Sequence, residues 1–447
     1  MENNNQGQLT EFESHLDMLT EKWSHVLDIE DAPKLNRYKR RDLAQILEST
    51  HIDNQNKKHQ AAGSMLMETT PTNLTGSIDK YDPILISLLR RSIPNLLAYD
   101  VMGVQPMTGP TGKIFAFRSR YGAQNGNEAF YNEANTIFTG IVGLDPTTDT
   151  STNPVANVAN ANAFSTGVAM PTATAEQLGN SGGTPIAEMG ISIDSVTVTA
   201  KSRAIMANYS VEMAQDLYSI HGLNAEAELS NMLATEVLAE INREAIRTIY
   251  TVAKPGCQFA TTTKGTFDLD TDSNGRHLIE RFAGLIFQLK REANVIAKET
   301  RRGKGNILIV SSDVASALSM TKEFNWQAAL QSDLEVDDTG NTFAGTFANQ
   351  FKVYIDPYFG GYSNGYELAC VGYKGGTPYD AGLFYAPYIP LQLYKAVDPA
   401  NFQPRLAYKL RYGMVANPFA EGLTLGAGAL NARKNVYYRI FSIRNLA

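Results

Sequence analysis

Residues 224–252 constrain this chain more than any other stretch. Asn224 is placed to cap a helix, Glu226 and Glu228 sit in the first turn where the helix dipole favours anions, and Val237, Ile241, Ala245 and Ile249 recur at every fourth position. At about 1.5 Å per residue such a helix runs roughly 43 Å, enough to cross a whole domain. Pro255 and Gly256 end it. Glu240 with Arg243 and Glu244 with Arg247 are spaced to pair along its exposed side.

A second amphipathic helix is predicted from about Arg276 to Glu299, with Ile279, Phe282, Ala283, Ile286, Leu289, Ala293 and Ile296 on one face. After the basic turn "RRGKGN" come a short strand "ILIV", a helix capped by Ser312, and the strands "FKVYID", "ELACVGY", "AGLFYAPY", "RLAYKLRYG" and "VYYRIFSIR". The fold class is therefore α+β, with sheet concentrated in the C-terminal third.

Residues 103–122, "GVQPMTGPTGKIFAFRSRYG", read as a hairpin. Gly109, Pro110 and Gly112 make the turn, and an alternating strand from Lys113 to Tyr121 puts Phe115 and Phe117 on one face. A lone two-stranded ribbon cannot cover its own apolar face, so this one needs the body or a neighbouring chain. From Tyr121 to Ala200 there is no Lys or Arg, while Glu128, Glu133, Asp145, Asp149, Glu176, Glu188 and Asp194 are acidic. Much of that interval is small and polar, the composition of a surface insertion or long loop.

The leading 68 residues differ from the rest: they carry 8 Lys and Arg, 12 Asp and Glu, and four of the six histidines, whereas 69–77 carry no charge. Phe12, Leu16, Leu19, Trp23 and Val26 form a narrow apolar seam, and Leu35, Tyr38, Ile46 and Leu47 form a second helical face. Two arrangements satisfy that pattern: a segment that buries its seam on a partner, or a helical subdomain packed on the body. Residues 69–100 read as an extended arm containing a short helix-like run from Pro83 to Arg91.

Catalytic motifs do not assemble. Gly361-Tyr362-Ser363-Asn364-Gly365 matches G-x-S-x-G, but a strand follows it and no histidine occurs after His277, so it reads as a turn. "GPTGK" and "RRGKGN" lack phosphate-loop spacing. His221 and His277 have no nearby His or Cys partner and read as helix-end or surface histidines, with no metal and no cofactor implied. Cys257 and Cys370 cannot build a disulfide framework and suit a reducing compartment. "KIFAFRSR", residues 113–120, partly matches an RNA-binding strand, but a net charge of −7 argues against a phosphate-binding surface. No apolar run spans a bilayer and the start is not a secretory signal, so the expectation is a non-membrane protein made in the cytoplasm.

The blocks "RRSIPNLLAYDVMGVQPMTGPTGKIFAFRSRYG" (90–122), "AKSRAIMANYSVEMAQDLYSIHGLNAEAELSNMLATEVLAEINRE" (200–244) and "VGYKGGTPYDAGLFYAPYIPLQLYKAVDPANFQPRLAYKLRYGMVANPFAE" (371–421) resemble the major capsid proteins of T-even-like tailed phages, and the final "KNVYYRIFSIRN" fits too. The resemblance implies the Hong Kong 97-type capsid fold. Its parts would be a removed helical propeptide at 1–68, an N-arm at 69–100, an E-loop at 101–135 and an insertion at 136–190. A P-domain with the spine helix would follow at 191–299, an A-domain at about 300–400, and returning P-domain strands at 401–447.

It also implies hexameric capsomers in an icosahedral virion shell around double-stranded DNA held without sequence-specific contacts. The implied partners are an internal scaffold, a prohead protease, vertex and portal proteins, and decoration proteins. The related pentameric vertex protein is the alternative within the family, and a nucleic-acid-binding protein the alternative outside it.

The protease of this family cuts after glutamate in an [LI]-x-E context. Leu66-Met67-Glu68, followed by Thr69, supplies one just before the uncharged stretch 69–77 that opens the arm. The same tripeptide pattern ends at Glu11, Glu21, Glu48, Glu188, Glu240 and Glu280. Removal of 1–68 takes away 8 − 12 = −4 and leaves −3. The E-loop residues Lys113, Phe115, Phe117, Arg118 and Arg120 are the expected inter-subunit contacts, the two rings burying against a neighbour and the cations facing acids of the adjacent Lys/Arg-free region.

Overall fold

The computed structural model describes residues 16–27, 37–63, 96–130, 134, 138–139, 169–179, 186–259, 261–273, 277–320, 324–325, 343–359, 365–377, 379–422 and 428–446. The chain forms two units, one of residues 1–112, 197–299 and 303–447, the other of 113–196 with 300–302. The described helices of eight or more residues are α1 (Arg37–Gly63), α2 (Val211–His221), α3 (Ala225–Val252), α4 (Leu278–Thr300) and α5 (Ser312–Ser319). In chain order the strands are β1 (Gly103–Val104), β2 (Thr111–Tyr121), β3 (Met189–Thr199), β4 (Lys201–Asn208), β5 (Ala253–Pro255), β6 (Thr266–Asp268) and β7 (Ile307–Ser311). They continue with β8 (Phe324–Asn325), β9 (Phe343–Phe347), β10 (Phe351–Asp356), β11 (Tyr366–Gly372), β12 (Leu383–Val397), β13 (Pro404–Ala416) and β14 (Asn435–Arg444).

The first unit is built on two sheets. One has the order β1-β12-β13-β4, with β13 antiparallel to both β12 and β4 through pairs such as Leu383–Ala416 and Tyr412–Lys201. The other runs β5-β14-β11-β7-β10-β9-β8, with β6 on β14. Its β7 lies parallel to β10 and antiparallel to β11, and all five of its residues are buried. A strand covered on both faces has no solvated side on which to place polar residues, which is why "ILIV" is a continuous apolar run.

The long helix forms as its sequence predicts. Asn224 Oδ1 accepts from the Glu226 amide at 3.0 Å, and Val237, Ile241, Ala245 and Ile249 are all buried. The expected pairs along its surface do not form; the charges turn instead to the sheets. Arg243 reaches Asp356 on β10 at 2.6 Å, and Arg203 on β4 bridges Glu240 at 3.3 Å and Glu244 at 2.7 Å. The predicted second helix becomes α4, with Phe282, Leu285, Leu289, Ala293 and Ile296 buried. Ahead of α3, Ser210 Oγ caps α2 and Gly222 closes it at φ 66°, a left-handed geometry that glycine adopts without Cβ strain.

The α+β expectation holds, and the five C-terminal strands fall where their apolar patterns placed them. The hairpin expected within 103–122 does not form. Gly103 and Val104 pair in parallel with Phe384 and Tyr385, and β2 takes β3 as its partner in a separate two-stranded sheet. The alternation "GISIDSVTVT" at 190–199 is the signal for that strand. His221 ends α2 and His277 immediately precedes α4, as read from the sequence.

Candidate functional site

The β2–β3 ribbon has two unlike faces. Arg118 Nε lies 3.0 Å from Asp194 Oδ2, Arg120 donates to Ser192 Oγ at 2.9 Å, and the Gly122 amide donates to the Glu188 carbonyl at 2.8 Å. These contacts put the even-numbered side chains of both strands on one face, so the strand period of two puts the odd-numbered ones on the other. On the even face Ile114 and Ala116 are buried. Arg118 is 2% exposed, with Glu128 3.7 Å away on its far side.

The odd face is open. Phe115 is 60% exposed, Phe117 66%, Ile191 64% and Ile193 61%, and Met189 continues the row. Five large apolar side chains on one side of a two-stranded ribbon make a contiguous patch of the kind that marks an interaction surface.

Of the residues expected at an inter-subunit contact, Phe115, Phe117 and Lys113 are presented to solvent. Arg118 and Arg120 are not: Arg118 ion-pairs with acids of the Lys/Arg-free stretch within its own chain, and Arg120 bonds Ser192 and the Gly126 carbonyl. Burial inside the ribbon requires a guanidinium to have its counter-ions at hand, and the nearest acids are those of β3 and the turn after β2. Ile191 and Ile193 had escaped sequence reasoning, although strict alternation marks them. The same placement weakens the nucleic-acid reading, because only one of the three cations of "KIFAFRSR" stands in the open.

The expected cleavage site belongs to the leading segment. Leu66, Met67, Glu68 and Thr69 fall outside the described residues, as does 361–364 of the G-x-S-x-G match. Residues 16–27 and 37–63 ahead of the proposed cut are described, and of the expected seam Leu19 and Trp23 are buried within the chain, while Phe12 falls outside the described residues. Trp23 is 1% exposed, and Leu19, Leu27, Leu43, Ala44, Ile46 and Leu47 share one hydrophobic core with Leu97, Ile241 and Tyr385.

Polar bonds fix that packing. Trp23 Nε1 donates to Glu48 at 3.0 Å, Lys22 Nζ lies 2.7 Å from the same carboxylate, and Arg41 bonds Asp17 at 2.7 Å. Lys39 lies 3.3 Å from Asp100, and Ser49 Oγ is 3.4 Å from the Met107 carbonyl. Between α1 and the body is a polar cavity of about 390 Å³ bordered by Asp42, Lys39, Asp100, Lys352 and Lys374. Burial pushes Asp42 up to about 7, against the pull of Lys374, and pushes Lys374 down to about 8. Lys374 Nζ donates to the Tyr99 carbonyl.

Elsewhere the titratable groups are structural. Both cysteines are free and buried; burial raises the Cys370 thiol to about 12 and the Cys257 thiol further. Neither suits thiolate chemistry. Arg439 is held by Glu292 at 3.4 Å and Glu299 at 2.7 Å, tying β14 to α4. Among the described residues no group of three His, Cys, Asp or Glu could hold a metal ion, and no helix is long and apolar enough to cross a membrane.

The family profile described as major capsid protein Gp23 matches residues 78–443. The chain is 40% identical over 414 residues to the major capsid protein of Serratia phage KSP90, covering 88% of this chain and 91% of that one. It is 34% identical over 518 residues to the major capsid protein of Enterobacteria phage T4, covering 96% and 98%. The capsid vertex protein of the same phage matches at 27% over 248 residues, 52% of this chain and 54% of that one.

Among solved structures, one from Mycobacterium phage Bobi aligns with a TM-score of 0.39 at 10% identity over 85% of this chain and 96% of that one. The capsid of Myoviridae phage XM1 aligns at 0.37 and 9%, over 85% and 97%. The family relationship rests on the sequence matches and not on these distant structural likenesses.

Proposed function

The chain belongs to the Gp23 major capsid protein family and is a structural protein of a tailed-phage head, and from that premise we propose how it assembles. Copies associate through the odd face of the β2–β3 ribbon, and a prohead protease removes the leading segment after Glu68. The observation that carries the first half is the exposed row of Phe115, Phe117, Ile191 and Ile193, opposite a face where Arg118 is ion-paired within the chain. Burying such a side chain contributes roughly 1.5–3 kcal/mol, against about 0–1 for an exposed ion pair, so the apolar row and not Lys113 drives the contact. Each contact can be modest, because a head-to-tail contact that closes into rings and then a shell multiplies it.

For the second half, position selects the site. Glu240 lies within α3 and Glu280 in the first turn of α4, where a protease cannot bind an extended strand, while Glu68 precedes the uncharged stretch 69–77. The assembled product is a shell of hexamers around double-stranded DNA, whose vertices, portal and decoration are supplied by other proteins. The vertex reading is the weaker one, since that match spans about half of each chain at lower identity.

Because Leu19, Trp23, Ile46 and Leu47 of the leading segment are buried within its own chain, an internal scaffold would meet the outer surface, where Met18 and Tyr38 are exposed. Expression of the chain with its protease and electron microscopy of the product test the proposal. Shells from the native chain, and dispersed subunits of native stability from an Ile191→Asp, Ile193→Asp chain, are expected. Normal shells from that variant overturn the ribbon contact.

A further inference from the structure

The leading segment is not an appendage. Helical residues 16–22, Ser24–Leu27 and α1 close on one another through Trp23 and Glu48, and α1 packs on β12. Ile46 is buried in the shared core and forms one wall of an apolar groove whose other walls are the body residues Leu96, Val237, Leu238, Ile241 and Leu391. Around it stand Ser49 against the Met107 carbonyl, Lys39 against Asp100, and Asp42 facing Lys374 across the polar cavity.

While the chain is whole, the arm tethers the segment to this groove, at an effective concentration set by a linker of a few tens of residues, on the order of millimolar. A cut after Glu68 abolishes the tether and none of the contacts. Severing the chain and emptying the groove are therefore different events.

The two remaining glutamate motifs in the described part of the segment are closed by the same packing. Leu19, Ile46 and Leu47 are buried, and the Glu48 carboxylate is occupied by Lys22 and Trp23. A protease that binds extended strands has no access to Leu19-Thr20-Glu21 or Ile46-Leu47-Glu48 in the docked state.

We propose that the groove beside α3 and β12 is a peptide-docking site whose ligand is the chain's own leading segment. The segment stays bound without a covalent link after the cut at Glu68, and cuts at Glu21 and Glu48 follow only when it undocks. The timing rests on the cleavage reading above; the docking does not. The order is thus imposed by the substrate: one cut in the arm, then undocking, then fragmentation that makes release irreversible.

The two readings separate if residues 65–71 are replaced by the recognition sequence of an unrelated site-specific protease. The full chain is nicked there and run on size exclusion in native buffer. The expected result is co-elution of segment and body. Lys39→Asp weakens retention by up to about fivefold, as for a half-exposed ion pair, and adding Asp100→Lys restores it. Ile46→Asp weakens it by about tenfold or more.

A nicked native chain whose segment elutes alone overturns the docking site, as does a Lys39→Asp loss that Asp100→Lys fails to restore. The order of cuts is read separately, by mass spectrometry of the natural protease reaction. Fragments ending at Glu21 or Glu48 that precede the Glu68 product overturn it. Absence of any cut at Glu68, with the engineered nick still retaining the segment, sinks the cleavage reading alone.

Discussion

Arg118 Nε sits 3.0 Å from Asp194 Oδ2, with the guanidinium 2% exposed and the acid on the neighbouring strand of the ribbon. This pair decides what the ribbon can offer a neighbour, since it consumes the charge that the sequence appeared to advertise and leaves the opposite face apolar. Removing the shared cation leaves its two acids, Asp194 and Glu128, without compensation, at a cost of about 3–5 kcal/mol, whereas replacing all three by apolar groups is close to neutral. Arg118→Leu is expected to speed amide hydrogen exchange in Thr111–Tyr121, and adding Asp194→Leu and Glu128→Leu to slow it back towards the native rate. Equal exchange in all three chains would show that the pair does not hold the ribbon.

On the other face, Phe117→Ser and Ile193→Ser should raise the subunit concentration needed for assembly by about tenfold or more each, following the apolar area they remove. Lys113→Glu should change it by less than about fivefold. Static light scattering during assembly measures both. The melting temperature of unassembled subunits should stay within a degree or two of native, because these side chains are exposed before assembly.

The docking of α1 should depend on pH through Asp42 and Lys374, which face each other across a cavity also bordered by Lys39, Asp100 and Lys352. Asp42 has a folded value raised from 3.8 to about 7, so its burial costs nothing below about 4 and progressively more as pH rises to 7. Lys374 is lowered from 10.5 to about 8, so its burial is penalised below 8 and relieved as pH rises from 8 towards 10.5. Docking is therefore weakest between about 7 and 8. Asp42→Asn should slow hydrogen exchange of α1 at pH 7.5 and leave it unchanged at pH 4. A native profile that is flat from pH 4 to 8 would rule this out.

Glu68→Ala should leave the leading segment attached when the chain meets its protease, and Glu240→Ala should not alter the product pattern. Denaturing gels of the reaction read both. Normal processing of Glu68→Ala would return the cut to one of the other glutamate motifs.

Local patterns already carried much of this protein. The four-residue apolar repeat and the Asn224 cap specify α3, the run "ILIV" specifies a strand covered on both faces, and the alternation around Phe115 and Phe117 specifies a two-faced ribbon, because each period is a property of the backbone conformation itself. The family, too, was legible in long ordered blocks.

Pairing was not. That β2 would pass over its sequence neighbour for a strand beginning at Met189, that Arg118 would turn inward to Asp194, that Glu240 and Glu244 would take Arg203, and that Trp23 would share a core with Ile241 are all long-range facts. Spacing along a chain records which side of an element is apolar. Which other surface covers that side, and which counter-charge lies within reach of a buried ion, depends on desolvation in three dimensions, and only the folded arrangement decides it.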